Sequence, residues 1–183
     1  MIVALKNYLS LIKFSHTIFA LPFALIGFTL SIKDDLSKFN PLLLVYVVLC
    51  MVFARSAAMG FNRYIDRKFD AMNPRTKTRE VPAGVISANA ALAFVIITSL
   101  LFVATTWFIN PICFYLSPIA LLVVLGYSFT KRFTALCHIV LGIGLALAPI
   151  GSYLAVTGEF AWLPLLFSFT VLFWVSGFDI IYA

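Results

Sequence analysis

The sequence predicts an all-α fold, a polytopic bundle of transmembrane helices. Hydrophobic residues make up 63% of the 183 residues and charged residues only 11%, whereas soluble domains average ~45–50% and ~25%. The mean hydropathy is +1.06. The apolar residues also fall into separate runs, each near the ~20 residues that a helix needs to cross a bilayer. This apolar excess is too large for one compact core in water, so we expect lipid around the chain.

Six such runs follow one another and form a single predicted membrane domain, residues 1–183. Several contain an internal proline, which membrane helices tolerate. The segment 63–87, between the second and third runs, holds the turn signals Asn73-Pro74 and Pro82-Ala83-Gly84. Its length is typical of a functional loop. The predicted spans lie near residues 12–32, 41–62, 88–108, 111–130, 136–156 and 161–183.

The distribution of basic residues predicts the orientation of the chain. The net charge is +6, which in a soluble protein suggests nucleic-acid binding. Here the basic residues stand between apolar spans rather than on a polar domain, so we expect no nucleic acid and a lipid bilayer as partner. If the spans alternate, most basic residues lie on one side, which the positive-inside rule makes the cytoplasm. These residues are Lys6, Lys13, Arg63, Arg67, Lys68, Arg75, Lys77, Arg79, Lys131 and Arg132.

A stripe of polar residues marks the end of the second span. Asn62, Asp66 and Asp70 are spaced four residues apart, and each such step turns only about 40° around a helix, so the three share one face. Arg55, seven residues before Asn62, falls on the same face. Ionisable groups at membrane depth are functional by default. The stripe is therefore our first candidate site.

Two interpretations of the stripe remain open from the residues alone. Carboxylates four residues apart repel each other, so a compensating charge is expected. Mg²⁺ is one candidate, because it prefers one or two carboxylates together with substrate phosphate. The other is ion pairing within the protein, with Arg63, Arg67 or Lys131 as the partner of Asp66 and Asp70.

Asp179 lies near the cytoplasmic end of the sixth run, at the same predicted depth as the stripe. A lone acid inside an apolar span is costly and suggests a site. The alternative is a single hydrogen bond between helices. His138, in the fifth span, is interpreted as a residue that makes such a hydrogen bond.

Four segments together resemble the UbiA-type membrane prenyltransferases. The resemblance runs through nearly the whole chain, and the first aspartate-rich segment with its basic tail is its most specific part. The fourth segment resembles only the opening of a second aspartate-rich motif. The segments are NRYIDRKFD at 62–70, RTKTR at 75–79, YSFTKR at 127–132 and GFDIIY at 177–182.

This resemblance implies a bundle of about nine transmembrane helices, of which six are present, so the chain is expected to be truncated at its C-terminus. It implies transfer of a polyprenyl group from polyprenyl diphosphate to an aromatic acid, 4-hydroxybenzoate or a hydroxynaphthoate, in quinone biosynthesis in the bacterial inner membrane. Mg²⁺ is the implied cofactor, held by Asn62, Asp66, Asp70 and Asp179. Arg67 and Lys131 are implied diphosphate contacts, and Tyr127 and Ser128 are expected beside the reacting carbon.

The acceptor is less strongly encoded. The segment Arg79-Glu80-Val81-Pro82 resembles the menaquinone branch of the family that uses the futalosine route, which favours a hydroxylated naphthoate. A carboxylate on the acceptor requires a cation, for which Arg55, Lys13 and His16 are candidates, with Arg55 best placed. Two alternatives to the working enzyme are a catalytically inactive truncated copy and a small six-span transporter that uses Arg55 and Asp179.

Overall fold

A computed structural model describes the backbone of residues 2–182 and the side chains of residues 6–13 and 18–182. Every regular element in the described part is helical. There are seven α-helices and one short 3₁₀ turn, Leu36–Lys38, between the second and third helices. The helices are α1 (Ile2–Leu11), α2 (Phe14–Ile32), α3 (Pro41–Met72), α4 (Ala88–Trp107), α5 (Pro111–Thr130), α6 (Cys137–Thr157) and α7 (Trp162–Tyr182).

The all-α membrane prediction is confirmed, since each predicted apolar run coincides with one of the helices α2 to α7. The five helices α3 to α7 are long and apolar enough to cross a membrane, by length and composition. In α2 the described side chains, Ile18–Ile32, are also predominantly apolar. Helix α1 was not predicted, because its residues precede the first predicted span.

Three of the predicted helix starts agree with the structure because each is fixed by a capping side chain. Asn40 Oδ1 accepts a hydrogen bond from the Leu42 amide at 2.9 Å, and Asn110 Oδ1 accepts one from the Cys113 amide at 2.8 Å. A proline follows each asparagine, where its missing N–H costs nothing. Ser87 caps α4 in the same way.

The helix that carries the second predicted span extends beyond residue 62, because α3 continues to Met72. No Gly or Pro interrupts residues 61–72, and the helix ends only where Asn73, the residue before Pro74, takes an extended conformation. The hydroxyl of Thr76 donates to the Asp70 carbonyl oxygen at 3.0 Å and satisfies an otherwise free helix end. The whole polar stripe therefore lies on one continuous helix rather than partly in a loop.

Helix α6 packs against α2, α5 and α7. The approach to α2 is very close, because a Cβ atom added at Gly27 would collide with the Pro149 carbonyl oxygen. One turn away, Ser152 Oγ donates to the Ala24 carbonyl oxygen at 2.5 Å. The approach to α7 is equally close at Gly142. Small residues thus bring the backbones of these helices together, as is common in membrane bundles.

Helix α3 closes the bundle by packing on α2, α4 and α5. Large apolar side chains such as Leu122, Phe173 and Ile181 point outward and are exposed. An outer surface of this kind suits lipid and would be a liability in water.

Helix α1 holds the segment 73–87 against the end of the bundle. Leu11 is fully buried in a small cluster with Val81 and Ile86, and Ser10 Oγ donates to a carboxylate oxygen of Glu80 at 2.5 Å. Between α1 and α2 the chain turns at Lys13, whose φ of 45° is unusual for a residue other than glycine. The turn lets α1 leave the line of α2 and lie over the segment.

Candidate active site

The bundle contains a partly open cavity of about 890 Å³ whose two ends differ in chemistry. One end is formed by polar and charged side chains from α3, α5 and the residue after it, α7, the 73–87 segment and the turn between α1 and α2. The remainder is lined mainly by apolar residues such as Val47, Ile109 and Leu154. Arg55 lies between the two regions, about 10 Å along α3 from Asn62. The residues of the polar end are Lys13, Asn62, Arg63, Asp66, Arg75, Arg79, Tyr127, Lys131 and Asp179.

The predicted stripe on α3 faces this cavity only in part. Asn62 and Asp66 line it, whereas Asp70, one turn further along, is buried outside the lining. Arg67 also lies outside it, because the residue after Asp66 is turned about 100° around the helix. The Arg67 guanidinium donates to the Tyr64 carbonyl oxygen at 2.6 Å and lies over the Tyr64 ring. Its expected diphosphate contact is therefore not supported by its position.

Asp66 is neutralised by two cations from the end of α5. Lys131 Nζ contacts Asp66 Oδ2, and Arg132 Nη2 donates to Asp66 Oδ1 at 3.2 Å. Arg132 also donates to the Ile65 carbonyl oxygen at 2.9 Å. The ion-pair interpretation is thus correct for Lys131, and the adjacent Arg132 is a second partner of Asp66 that was not predicted.

Asp70 pairs with Arg79 rather than with Arg63 or Arg67. Arg79 Nη1 donates to Asp70 Oδ1 at 2.8 Å, while Asp70 Oδ2 is buried and has no partner within the described residues. Arg79 also lines the cavity, together with Arg75. The 73–87 segment therefore folds back and contributes two arginines to the site that were not among the predicted site residues.

Arg63 is buried in the cavity wall, with only 4% of its surface exposed. Its Nε atom has no hydrogen-bond partner, and the residue is in no ion pair within residues 6–13 and 18–182. A buried guanidinium without a partner is costly. Together with Arg75 and Arg79, it makes this end of the cavity complementary to a multiply charged anion.

Tyr127 in α5 and Lys131, the residue that follows α5, both line the cavity. Ser128 is fully buried and lies outside the lining. Its Oγ atom has no partner among the described residues. The position of Tyr127 in the cavity wall is compatible with the expectation that it lies beside the reacting carbon. Ser128, for which the same was expected, does not line the cavity.

Asp179 enters the cavity from α7 and contacts α6. Its Oδ2 atom lies 2.7 Å from Nδ1 of His138, so His138 makes the predicted hydrogen bond between helices. Among the residues predicted to contact the acceptor carboxylate, Lys13 also lines the cavity. The side chain of His16 lies outside the described residues.

The oxygen donors fit a magnesium ion that arrives with phosphate better than one held by protein alone. Within the described side chains, no group of three or more His, Cys, Asp or Glu residues is arranged to hold a metal. Mg²⁺ is commonly bound by one or two carboxylates and substrate phosphates. Asn62, Asp66 and Asp179 line the same polar end, and Asp70 has an unpartnered oxygen nearby. With the neighbouring arginines, this donor set suits a Mg²⁺–diphosphate pair.

Comparison with known sequences gives relatives of one kind. The chain is 37% identical over 142 residues to a protein of Tolumonas auensis named 4-hydroxybenzoate octaprenyltransferase, covering 78% of the chain and 49% of that protein. It is 35% identical over 144 residues to a protein of the same name from Nitrosomonas eutropha, covering 79% and 50%. The chain thus spans about half the length of the curated relatives it matches.

Solved structures share the fold. A UbiA homologue from Aeropyrum pernix K1 has a TM-score of 0.82 and 34% identity, over 92% of this chain and 62% of that one. A UbiA homologue from Archaeoglobus fulgidus, solved with GPP and Mg²⁺, has a TM-score of 0.72 and 24% identity, over 95% and 61%. The model of the UbiA prenyltransferase family matches residues 20–183. The chain is an integral membrane protein and belongs to the UbiA prenyltransferase family.

Proposed function

We propose that this chain carries the prenyl-diphosphate site of a Mg²⁺-dependent transferase that moves a polyprenyl group onto an aromatic acid in quinone biosynthesis. The observation that carries the proposal is the division of one cavity into a charged end and a long apolar remainder. A polyprenyl diphosphate has the same division. The six-span transporter has no comparable support, since the acids lie beside a cluster of arginines and the chain is a family member.

The charged end would bind the diphosphate and stabilise its departure. Lys131, Arg63, Arg75 and Arg79 would donate to phosphate oxygens, and charge-assisted hydrogen bonds of this kind are about twice as strong as neutral ones. Asn62, Asp66, Asp70 and Asp179 would hold Mg²⁺, which when bound would supply Lewis-acid neutralisation of the leaving group. These contacts strengthen as negative charge collects on the diphosphate, so they favour the transition state over the ground state.

The apolar walls would exclude water from the allylic carbon, which becomes electron-deficient as its C–O bond breaks. The face of the Tyr127 ring, which lines the cavity, is suited to stabilise this positive charge. An electron-rich carbon of the acceptor ring would then form the new C–C bond, and the released diphosphate would take up the proton that the ring loses.

The acceptor is proposed to be an aromatic acid whose carboxylate pairs with Arg55. Arg55 has a buried Nε atom without a partner among the described residues and lies beside the cavity, beyond the diphosphate end. Relatives are named for 4-hydroxybenzoate, whereas the segment Arg79-Glu80-Val81-Pro82 favours a hydroxynaphthoate. The site would open to the cytoplasm at the bacterial inner membrane, with the N-terminus on the same side.

The test is transfer of a radiolabelled polyprenyl group in membranes, with 4-hydroxybenzoate and a hydroxynaphthoate offered in parallel. Asp66→Ala is expected to abolish transfer to either acid while the protein still inserts into the membrane. Lys68→Ala is the matched control, because Lys68 is exposed and outside the cavity lining. Unchanged turnover in Asp66→Ala would refute the role of this acid.

A further inference from the structure

The contact between α6 and α7 at the polar end of the cavity supports a second role for a residue outside the site. We propose that His138 is a positioning residue, which fixes the Asp179 carboxylate so that its other oxygen faces the cavity and a divalent cation there. This inference rests on the proposed function. His138 itself is outside the cavity lining, so it acts through Asp179.

The geometry of the helix crossing sets this contact. A Cβ atom added at Gly142 would collide with Ser176 Oγ and the Leu172 carbonyl oxygen, so α6 and α7 touch there almost backbone to backbone. His138 lies one turn before Gly142 on α6, and Asp179 lies three residues after Ser176 on α7. Because these two steps lead in the same direction along the crossing, the imidazole and the carboxylate meet, at 2.7 Å.

Asp179 also differs from the other two acids in its partners. Asp66 is neutralised by Lys131 and Arg132, and Asp70 by Arg79. Within residues 6–13 and 18–182, Asp179 has no Lys or Arg partner, and its contact with His138 involves only Oδ2. Oδ1 is therefore free to bind a cation without first displacing a positive side chain.

A hydrogen bond of this kind has a known effect on metal sites. Groups that hydrogen-bond to a metal ligand fix its orientation, and their loss typically weakens metal affinity about 10–100-fold. A carboxylate at the end of a flexible Cβ–Cγ bond has several orientations open to it, of which the imidazole selects one. The hydrogen bond therefore reduces the entropy that Asp179 loses when a cation binds.

The experiment compares His138→Asn with His138→Phe in the purified protein. Asn places an amide nitrogen near the position of Nδ1, whereas Phe keeps a ring of similar shape without a donor. Mn²⁺ affinity is measured by electron paramagnetic resonance in the presence of the unreactive thio analogue of geranyl diphosphate, with Tm measured in parallel. We expect Phe to weaken Mn²⁺ binding about 10–100-fold, and Asn to remain within a few-fold of wild type.

Two results would overturn the positioning role while leaving the proposed function intact. One is wild-type Mn²⁺ affinity in His138→Phe. The other is an equal loss of affinity in both variants that follows their Tm, which indicates packing alone. If the Phe variant does not fold, His138→Gln replaces it, because its longer side chain displaces the amide from the Nδ1 position. Failure of the wild-type protein to bind Mn²⁺ with the analogue would overturn the proposed function and this inference together.

Discussion

Asp66 and its two cations form a charge cluster that substrate binding must rearrange. Lys131 contacts Asp66 and also lines the cavity at the proposed diphosphate site. Removing one partner of a buried ion pair typically costs about 3–5 kcal/mol. Phosphate oxygens for Lys131 and a cation for Asp66 would offset that cost only when both arrive. We therefore expect diphosphate and Mg²⁺ to bind cooperatively.

Two arginine variants compare the contribution of the 73–87 segment to binding of the prenyl diphosphate with the contribution of helix α3. Arg79→Ala removes a cation that lines the cavity, so we expect the KM for the prenyl diphosphate to rise at least about tenfold, the equivalent of one strong ionic hydrogen bond. Arg67→Ala removes the same charge from outside the cavity and is expected to change this KM less than about twofold. Steady-state kinetics on both variants provide the measurement, and an equal effect would restore Arg67 to the site.

Arg55 provides a separate test of the acceptor. Arg55→Ala is expected to raise the apparent KM for a carboxylated acceptor more than the KM for the prenyl diphosphate, because its guanidinium lies beyond the diphosphate end. The two values come from one set of kinetics with each substrate varied in turn. The reverse order would assign Arg55 to the diphosphate.

For the helices, the predicted and observed boundaries agree best where the local sequence carries a start or stop signal. The starts of α3 and α5 follow from Asn40-Pro41 and Asn110-Pro111, which fix the conformation without help from the rest of the chain. The end of α3 follows from Pro74, which disfavours a helical conformation at Asn73, and the hydroxyl of Thr76 then satisfies the Asp70 carbonyl oxygen. Helix α1 is ordered by packing on residues from 80 to 91, which a local pattern does not reveal.

The site residues show the same limit: local sequence predicts those placed by helical spacing and not those placed by tertiary contacts. Five of the predicted site residues line one cavity, namely Asn62, Asp66, Tyr127, Lys131 and Asp179. Helical spacing explains why the first two lie together. Arg75 and Arg79 were not predicted as site residues, because the path of the 73–87 segment is set by tertiary contacts such as that between Ser10 and Glu80. The signal that pointed to them was the RTKTR segment at 75–79, which carries part of the family resemblance.

The close crossing of α2 and α6 gives a prediction about stability. Gly27→Ala places a methyl group against the Pro149 carbonyl oxygen, and overpacking of this kind costs about 1–3 kcal/mol. Gly126→Ala is the control, since a Cβ atom there meets nothing within 4 Å and alanine favours the helix by about 1 kcal/mol. Thermal unfolding in detergent should show a lower Tm for the first and no loss for the second. Equal Tm values in the two variants would contradict the close approach of α2 and α6 at Gly27.

For the whole molecule, the orientation in the membrane remains a prediction from the basic residues. Lys77→Cys lies in the 73–87 segment and Lys33→Cys just after α2, at opposite ends of α3. We expect a membrane-impermeant maleimide to label Lys33→Cys in intact cells and Lys77→Cys only after the inner membrane is opened. Opposite labelling would invert the proposed topology and place the charged end of the cavity outside the cell.

The two-ended cavity has a consequence for where the products go. Its charged end lies beside the 73–87 segment, and its apolar remainder runs among helices whose outer faces suit lipid. In the proposed reaction, the released diphosphate would be soluble only in water, and the prenylated ring would be soluble chiefly in the membrane. The products would therefore partition into different phases, and this separation would oppose the reverse reaction without any moving part.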